Sequence, residues 1–565
     1  MAHALTFAGR LLTAGGALLT DGASSSGGSS ASSIASVNEP ANLAVAQRAA
    51  GGTTRALTFT ASYTGADPTM FQWRVEDFTS AATVVDWSDF ASFTASGGSA
   101  TGTALAIPQG DNYRLRVRDK LTPGVAWSGA HMWGVGVCIV MSGQSNMVAT
   151  MSSQGLVGGG VGTEQYTAAH TTKHGRIYAD LGWAYNGFGS YPGGSAVGGD
   201  LLVADPGYAF IRELVAGLGG NVPVAILPLA ISGVGIGTWS PGGTNYTKYT
   251  AATGGGTSGT DVSGLLSTIY PGDVEAVCWH QGENDSGAGT PATTLSTYLT
   301  ELDTWYNGWL ALVSPFGRTH ATLHICMPII GNVDPTVAPN IEMVRQAQIE
   351  WTAAKQALGW AVTTGEMTTD LVRATGDTLH MDNSGSTSTP TSAVRALRRV
   401  TQDLLHWLVP ATYPHGSAGP KINAVGVSRA GAVITLPIVQ DGGTALQTAA
   451  GGNPTGFYVS TDNFATGCGP GTGAYLTPAS VTLSGTNVLI DLGTWPGGTV
   501  YVKYLGGTPN TTGQNYDGTH NASTFPDITN CIYDNGALPP YPLLYTTSDP
   551  LGLPLQPTDG SIAVT

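Results

Sequence analysis

The feature that most limits the fold of this chain is a short apolar run, ending in glycine or polar residues, that recurs between residues 134 and 363. The runs cover residues 134–141, 224–230, 274–279 and 361–363. They are rich in Val, Ile and Cys, which is typical of buried strands. Segments with helical spacing of apolar residues accompany them, at 208–218, 294–313, 341–358 and 392–409. Strands alternating with helices predict a parallel sheet covered on both faces.

Three polar strings follow these strands. They are Gly143-Gln144-Ser145-Asn146, Gly282-Glu283-Asn284-Asp285 and Asp377-Thr378-Leu379-His380. Because parallel strands end at one edge of a sheet, we expect the strings to meet there. Ser145 offers a hydroxyl nucleophile, Asn284 an amide donor, and Asp377 with His380 an acid and a base. These groups are the parts of an acyl-transfer site.

Each string also has a simpler explanation when it is taken alone. Ser145 could be the N-cap of a helix, a position that serine favours. Asn284 and Asp285 are well suited to a turn. Asp-x-x-His pairs occur by chance in surface loops. The strand that precedes each string favours the catalytic interpretation.

A glycine-rich segment after the run 224–230 predicts a further oxyanion donor. Glycine after a strand allows the backbone to approach a ligand closely. Gly233 could therefore supply an N–H group, although Gly235 and Gly237 compete for this role. The amide of Asn284 would complete the hole, a contact whose removal costs about 10²–10³ in rate.

These strings resemble the sequence blocks of the SGNH hydrolase superfamily, closest to its sialate O-acetylesterase-like and acetylxylan-esterase-like branch. Residues 206–210 and Arg345-Gln346-Ala347-Gln348 resemble further segments of that family. The resemblance implies a flavodoxin-like parallel-sheet hydrolase that removes O-acetyl groups from a carbohydrate without a cofactor. It assigns the nucleophile to Ser145, the acid and base to Asp377 and His380, and the oxyanion hole to Ser145, Gly233 and Asn284. We expect the flanking Gln144, Glu283 and Asp285 to bind substrate.

Composition indicates a multidomain chain with an acidic surface. A length of 565 residues predicts about three domains. Only 10% of residues are charged and 80 are glycine, a pattern typical of β-rich extracellular or virion proteins. The net charge of −15 argues against nucleic acid as a partner. No run reaches the ~18 apolar residues of a membrane span, and no Cys or His spacing indicates a metal site.

Four regions are predicted. Residues 1–39 are predicted to form an N-terminal docking segment with a Ser/Gly-rich linker at 24–36. Residues 40–133 are predicted to form an immunoglobulin-like β-sandwich whose outward arginines are solvated. Residues 134–415 form the SGNH esterase domain, and 416–565 a C-terminal β-sandwich with a Pro-rich tail. Cys468 and Cys531 in the last region could pair, which the sequence leaves open.

The N-terminus suggests where the protein acts. Residues 1–22 lack the charged start and uninterrupted apolar core of a signal peptide. We therefore predict a virion location, in which this segment docks on other tail proteins of a bacteriophage and the chain forms a homotrimeric fibre or spike. The partner glycan would be acetylated host surface polysaccharide. The alternatives are a secreted or cytosolic carbohydrate acetylesterase, and a non-catalytic receptor-binding virion protein on the same scaffold.

Overall fold

A computed structural model describes most of the chain. The described residues are 5–7, 10–12, 18–19, 31–40, 44–147, 175–177, 206–231, 233–252, 273–287, 294–331, 340–365, 381, 392–466, 474–505, 530–536, 552–558 and 560–565. The predicted residues Asp377 and His380, and also Cys468, lie outside this part of the chain.

The N-terminal region consists of strands that pair antiparallel with one another. Its bounds are β1 Leu5–Phe7, β2 Arg10–Leu12, β3 Leu18–Leu19, β4 Ser33–Val37, β5 Ala44–Gln47, β6 Thr54–Thr64, β7 Phe71–Asp77, β8 Thr83–Asp89, β9 Ala91–Ser96, β10 Ser99–Pro108, β11 Gly110–Asp119 and β12 Ala126–Ser128. Strands β1 to β3 form a small sheet of their own, and the order β4-β6-β10-β9 forms another. Strand β4 lies largely inside the predicted linker 24–36 and pairs with β6, so residues 33–36 are not a flexible linker. Its Val37 is buried in the sandwich core, which explains why this Ser-rich stretch is a strand.

The central region alternates strands with helices, as predicted. Its strands are β13 Trp133–Gly143, β14 Gly175–Ile177, β15 Val224–Pro228, β16 Ala276–His280, β17 His324–Pro328 and β18 Val362–Gly365. Its α-helices with described bounds are α1 Pro206–Gly217, α2 Tyr246–Ala252, α3 Leu295–Val313, α4 Ile341–Ala357 and α5 Ser392–Leu408. Short 3₁₀ helices cover Ile236–Trp239 and Ser314–Phe316. The strands are parallel in the order β14-β15-β13-β16-β17-β18. Without the short β14 this is the flavodoxin-like order 2-1-3-4-5.

Strand β13 is buried along its whole length because it separates two apolar cores. Successive side chains of a strand point to opposite faces of the sheet. Val137, Ile139 and Met141 pack on one face, in the core that includes residues of α1 and α5. Cys138 and Val140 pack on the other, with residues of α3 and α4. Helices therefore cover both faces, and an apolar residue is required at each of these positions.

The N-terminal sandwich and the central sheet are not separate, so the predicted arrangement of a hydrolase flanked by two antiparallel sandwiches holds only in part. The first residues of β13 pair with β11 and β5, and its later residues pair with β15 and β16. Together these strands form one 11-stranded sheet. The predicted boundary at 133/134 thus falls at the start of a strand that both regions share.

The C-terminal region has its own sheets and its own core. Its strands are β19 Lys421–Ile422, β20 Ser428–Ala430, β21 Val433–Val439, β22 Leu446–Thr448, β23 Phe457–Ser460, β24 Ser480–Ser484, β25 Asn487–Asp491, β26 Val500–Tyr504, β27 Ile532–Asp534 and β28 Ile562–Val564, with a 3₁₀ turn at Ala424–Gly426. Their inward apolar side chains form one cluster that, among the described residues, includes none from the central sheet. In the part of the chain that the structure describes, no helix is long and apolar enough to cross a membrane.

Candidate active site

Ser145 lies where the chain leaves strand β13. Residues 145–147 form a helical turn directly after the strand. Gly143 has a φ of +131°, and a Cβ there would overlap the backbone of His280, so only glycine fits. The Gln144 N–H donates to the carbonyl oxygen of His280 at 3.0 Å. This contact fixes the turn that carries Ser145 against the end of strand β16.

The second predicted string forms the neighbouring loop. Gly282 has a φ of +141°, and a Cβ there would lie 2.7 Å from Cγ1 of Val344. The Asn284 N–H donates to Oε1 of Gln144 at 3.1 Å. Gln144 thus ties the serine turn to the asparagine loop, and the two predicted strings meet at one edge of the sheet.

The two proposed reactive residues, Ser145 and Asn284, are more exposed than the polar residues beside them. Ser145 and Asn284 are each partly exposed, whereas the polar residues directly before and after them are buried. The buried neighbours are Gln144, Asn146, Glu283 and Asp285. A hydroxyl and an amide are therefore accessible above a rigid polar base, which is the arrangement that an acyl-transfer site needs.

Asn146 links three loops of the site. Its Nδ2 donates to Oε1 of Glu283 at 2.5 Å, and its Oδ1 accepts from the Met381 N–H at 3.0 Å. The residue after Ser145 is therefore bonded to the residue that follows His380 in the sequence. Asn146 belongs to the string Gly143-Gln144-Ser145-Asn146, but the sequence alone indicates no role for it.

The glycine candidates for the oxyanion hole differ in their surroundings. Gly233 has a φ of +71°, and a Cβ added there would meet no described atom within 4 Å. Gly235 packs against both Asp285 and Asn284, since a Cβ added there would lie 2.7 Å from Oδ1 of Asp285 and 3.3 Å from Nδ2 of Asn284. A Cβ added at Gly237 would instead lie 3.9 Å from Oε1 of Glu301. Gly235 therefore has a packing role beside Asn284, and the donor role of Gly233 stays a prediction.

Asp285 is a buried carboxylate next to Asn284. It accepts from the Ile236 N–H at 3.1 Å and from Nε2 of Gln281. Burial raises the pKa of Asp285 to about 6, although these two hydrogen bonds oppose the rise. Its contacts orient the loop that carries Gly233 and Gly235 relative to Asn284.

Glu283 is also buried, but its pKa is lowered, unlike that of Asp285. Burial alone would raise its pKa, but the hydrogen bond and charge of His280 and the hydrogen bond from Asn146 outweigh burial and lower it. Nε2 of His280 lies 3.4 Å from Oε1 of Glu283. Like Gln144 and Asp285, Glu283 holds loops together in the described structure, and direct substrate contact by these three residues stays a prediction.

A supporting layer behind the loop was not assigned from the sequence. Tyr298 Oη donates to Oε1 of Gln281 at 3.0 Å, and Nε2 of Gln348 donates to the Gln281 carbonyl at 2.9 Å. Arg345 donates to the carbonyls of Ile330 and Gly331 at 3.0 and 2.6 Å. The Arg-x-x-Gln spacing of Arg345 and Gln348 was the available signal, because it places both residues on one face of helix α4.

The described residues offer no metal centre. No group of three or more His, Cys, Asp or Glu side chains in this part of the chain is placed to hold an ion. The chemistry that this edge of the sheet can support with its described groups is attack by a hydroxyl and stabilisation of an oxyanion.

Residues 135–388 match the family described as SASA: carbohydrate esterase, sialic acid-specific acetylesterase, a match that covers less than half of the chain. Among curated protein sequences, none matches significantly.

Among solved structures, a carbohydrate acetylesterase from Xanthomonas citri has a TM-score of 0.51 at 17% identity, covering 92% of this chain and 97% of its own. This likeness concerns the fold. A protein from Arabidopsis thaliana has a TM-score of 0.30 at 16% identity and covers 47% of this chain and 97% of its own, a score too low to carry an argument. Residues 135–388 are therefore similar to the sialic acid-specific acetylesterase family, and the chain is similar in fold to a carbohydrate acetylesterase.

Proposed function

We propose that this protein is a serine esterase that removes O-acetyl groups from a carbohydrate, with Ser145 as nucleophile, His380 as base and Asp377 as the acid that orients it. The observation that carries this proposal is the double contact of Asn146. This neighbour of Ser145 binds the loop of Asn284 through Glu283, and it binds Met381, the chain neighbour of His380.

The reaction proceeds through an acyl-enzyme. Oγ of Ser145 attacks the acetyl carbonyl carbon as His380 takes its proton, and the oxyanion accepts hydrogen bonds from the N–H groups of Ser145 and Gly233 and from the Asn284 amide. The sugar oxygen leaves with the proton held by His380. Water, deprotonated by His380, then attacks the acetyl group and releases acetate, which restores Ser145. Asp377 keeps the imidazole in the required tautomer and stabilises its charged form.

The first test is acetate release from an acetylated chromogenic ester. We expect Ser145→Ala to lower kcat roughly 10⁴-fold or more, since no other group replaces the nucleophile. Ser314→Ala is the matched control, because Ser314 is an exposed serine at the end of helix α3. Equal activity in the Ser145→Ala variant contradicts the mechanism. Absence of activity in the wild type, also on acetylated polysaccharides, favours a non-catalytic binding protein.

The proposed setting is a bacteriophage tail fibre or spike that acts on acetylated host surface polysaccharide. The glycine-rich, weakly charged composition and the apolar segment before a Ser/Gly-rich stretch support it. Detection of the chain in purified particles is the expected result. A mature form that starts near residue 25 in culture medium contradicts the virion location and favours a secreted esterase.

A further inference from the structure

Four arginines lie on the outer face of the sheet formed by β7 and β11. Arg74 pairs with Arg116 across these strands, Arg114 pairs with Glu76, and Arg118 pairs with Gln72. We call Arg74, Arg114, Arg116 and Arg118 the arginine face. The sequence predicts that these side chains are simply solvated, but the structure differs.

One buried carboxylate holds three of the guanidinium groups. Glu76 lies 3.1 Å from Nη2 of Arg114, 3.2 Å from Nη1 of Arg116 and 3.3 Å from Nε of Arg74. The arginine side chains are only 21%, 27% and 23% exposed. Three positive groups and one negative group leave an excess of two positive charges. In the described structure, the buried Nε atoms of Arg114 and Arg116 have no hydrogen-bond partner.

The nearby acidic and aromatic groups do not remove this excess. Asp89 is already paired with Lys120 at 2.6 Å. Arg118 donates to Gln72 at 2.8 and 2.9 Å, and its guanidinium lies 4.0 Å above the Trp87 ring. The arginine face is thus a fixed set of donors with the Phe78 and Trp87 rings at its margin.

We propose that the arginine face binds a carboxylated polysaccharide, the same glycan that the esterase site deacetylates; this inference rests on the proposed function. Guanidinium groups match carboxylates in geometry and charge, and donors that are already fixed lose little entropy on binding. Arginines spaced along neighbouring strands can contact an extended polymer that repeats its carboxylate along its length. The net charge of −15 on the whole chain disfavours more densely charged polyanions such as nucleic acid.

Strand β13 connects this face to the catalytic edge. Strand β11, which carries three of the arginines, pairs with the start of β13, and Ser145 follows the end of β13. The 11 residues of β13 span about 35 Å at the rise of an extended strand. A polymer bound at the arginine face would therefore stay near the site and raise the local substrate concentration. This tethering lowers KM for a polymer and has no effect on a small ester.

The test compares the wild type with an Arg114→Gln/Arg116→Gln double variant. Arg429→Gln is the matched control, because Arg429 lies 4.3 Å over the Trp495 ring in the C-terminal sandwich. The probes are polysialic acid, polygalacturonate, carboxyl-reduced polygalacturonate, dextran and double-stranded DNA, measured by isothermal titration calorimetry. Hydrolysis of a small acetyl ester and the melting temperature report whether each protein is folded.

We expect the wild type and the control to bind at least one carboxylated polymer, and the double variant to bind it about tenfold more weakly or worse. KM for an acetylated acidic polymer should rise with unchanged kcat and unchanged small-ester hydrolysis. Equal binding of the carboxyl-reduced polymer, dextran or DNA by the wild type overturns the proposal without any variant. Absence of binding while the ester is hydrolysed overturns this inference and leaves the proposed function intact.

Discussion

The two sandwiches are attached to the central domain in different ways. The N-terminal sandwich shares strand β13 with the parallel sheet, and a single apolar cluster runs from Phe59 and Trp73 to Trp305 and Val344. The C-terminal sandwich has a separate core. A continuous sheet and core make the first two regions one cooperative unit, whereas the third has the organisation of a docked domain.

Buried ion pairs strengthen the first junction. Arg55 lies 2.9 Å from Asp273, and Arg318 lies 2.7 Å from Asp273 and 3.3 Å from Glu275. Arg48 lies 3.5 Å from Glu275. All of these side chains are at least nine-tenths buried. Arg48 and Arg55 come from the N-terminal region, so the network requires both regions to be folded.

At the second junction the described ion pair is more exposed, and a buried hydrogen bond accompanies it. Arg345 donates to the Leu505 carbonyl at 3.2 Å, and Lys503 lies 3.1 Å from Glu342. A cavity of about 290 Å³ remains between helix α4 and the C-terminal region, lined by Gln356, Lys421 and other residues. The two flanking sandwiches therefore have different roles: one completes the esterase fold and the other is added to it.

The largest expected effect comes from removing each sandwich. A chain that starts at residue 133 should fail to fold, because β13 loses β5 and β11 and Asp273 loses Arg55. A chain that ends at residue 417 should fold and hydrolyse a small acetyl ester, because the esterase cores remain complete. Circular dichroism melting and ester hydrolysis measure both. A folded, active N-terminal truncation would show that the N-terminal sandwich is not required for the esterase fold.

A single substitution in the N-terminal junction should lower the free energy of unfolding nearly as much as a cavity in the apolar core. Arg318→Met leaves Asp273 and Glu275 buried with less positive charge, and we expect a loss of about 3–5 kcal/mol in the free energy of unfolding. Urea denaturation of the full chain measures it. A loss below about 1 kcal/mol, the size of a surface pair, would show that the network contributes little to joining the two regions.

Acid should act in opposite directions on two buried carboxylates, Asp273 at the N-terminal junction and Asp403 on helix α5. Burial raises the pKa of Asp273 above 3.8 despite Arg318, so its contribution to stability is greatest at low pH and falls as pH rises through the folded pKa. Burial also opposes ionisation of Asp403, but the charge and hydrogen bond of His324 lower its pKa below 3.8. The contribution of Asp403, which accepts from Ser417 at 3.0 Å, is therefore lost as pH falls below 3.8.

These opposite pH dependences can be tested by measuring the free energy of unfolding against pH for Asp273→Asn and Asp403→Asn. Relative to the wild type, Asp273→Asn should gain stability as pH rises above 3.8, and Asp403→Asn should lose less as pH falls below that value. Profiles that shift in the same direction in both variants would contradict the assigned signs.

The smallest effect should come from the C-terminal junction. Lys503→Met removes a partly exposed ion pair with Glu342, and we expect a change of at most about 1 kcal/mol that weakens further in high salt. Comparison with Arg318→Met in the same denaturation experiment sharpens the contrast. A loss as large as that of Arg318→Met would mean that the C-terminal sandwich is as integral as the N-terminal one.

The sequence predicted what is local. Each of the four predicted helices was found with ends within two residues of the structure, and the strings at Ser145 and Asn284 meet as predicted. It could not predict that β13 serves two regions, because its partners β5 and β16 lie far apart in the chain. The bond between Asn146 and Met381 joins residues 235 positions apart, and no local pattern indicates it. The arginines sharing Glu76 were missed because cross-strand register decides their neighbours.

The shared network also has a consequence for synthesis on the ribosome. Gln47 bonds to Glu275 across 228 positions, and the Arg48 carbonyl accepts a bond from Arg318 across 270. At the usual rate of translation, the N-terminal sheet waits roughly 10–50 s for these partners. Before β15 and β16 are synthesised, the two edges of β13 that pair with them have no partner strand, and exposed edges of this kind favour aggregation. The yield of folded protein should therefore depend strongly on chaperones or on a low growth temperature, more than expected for a sandwich of this size.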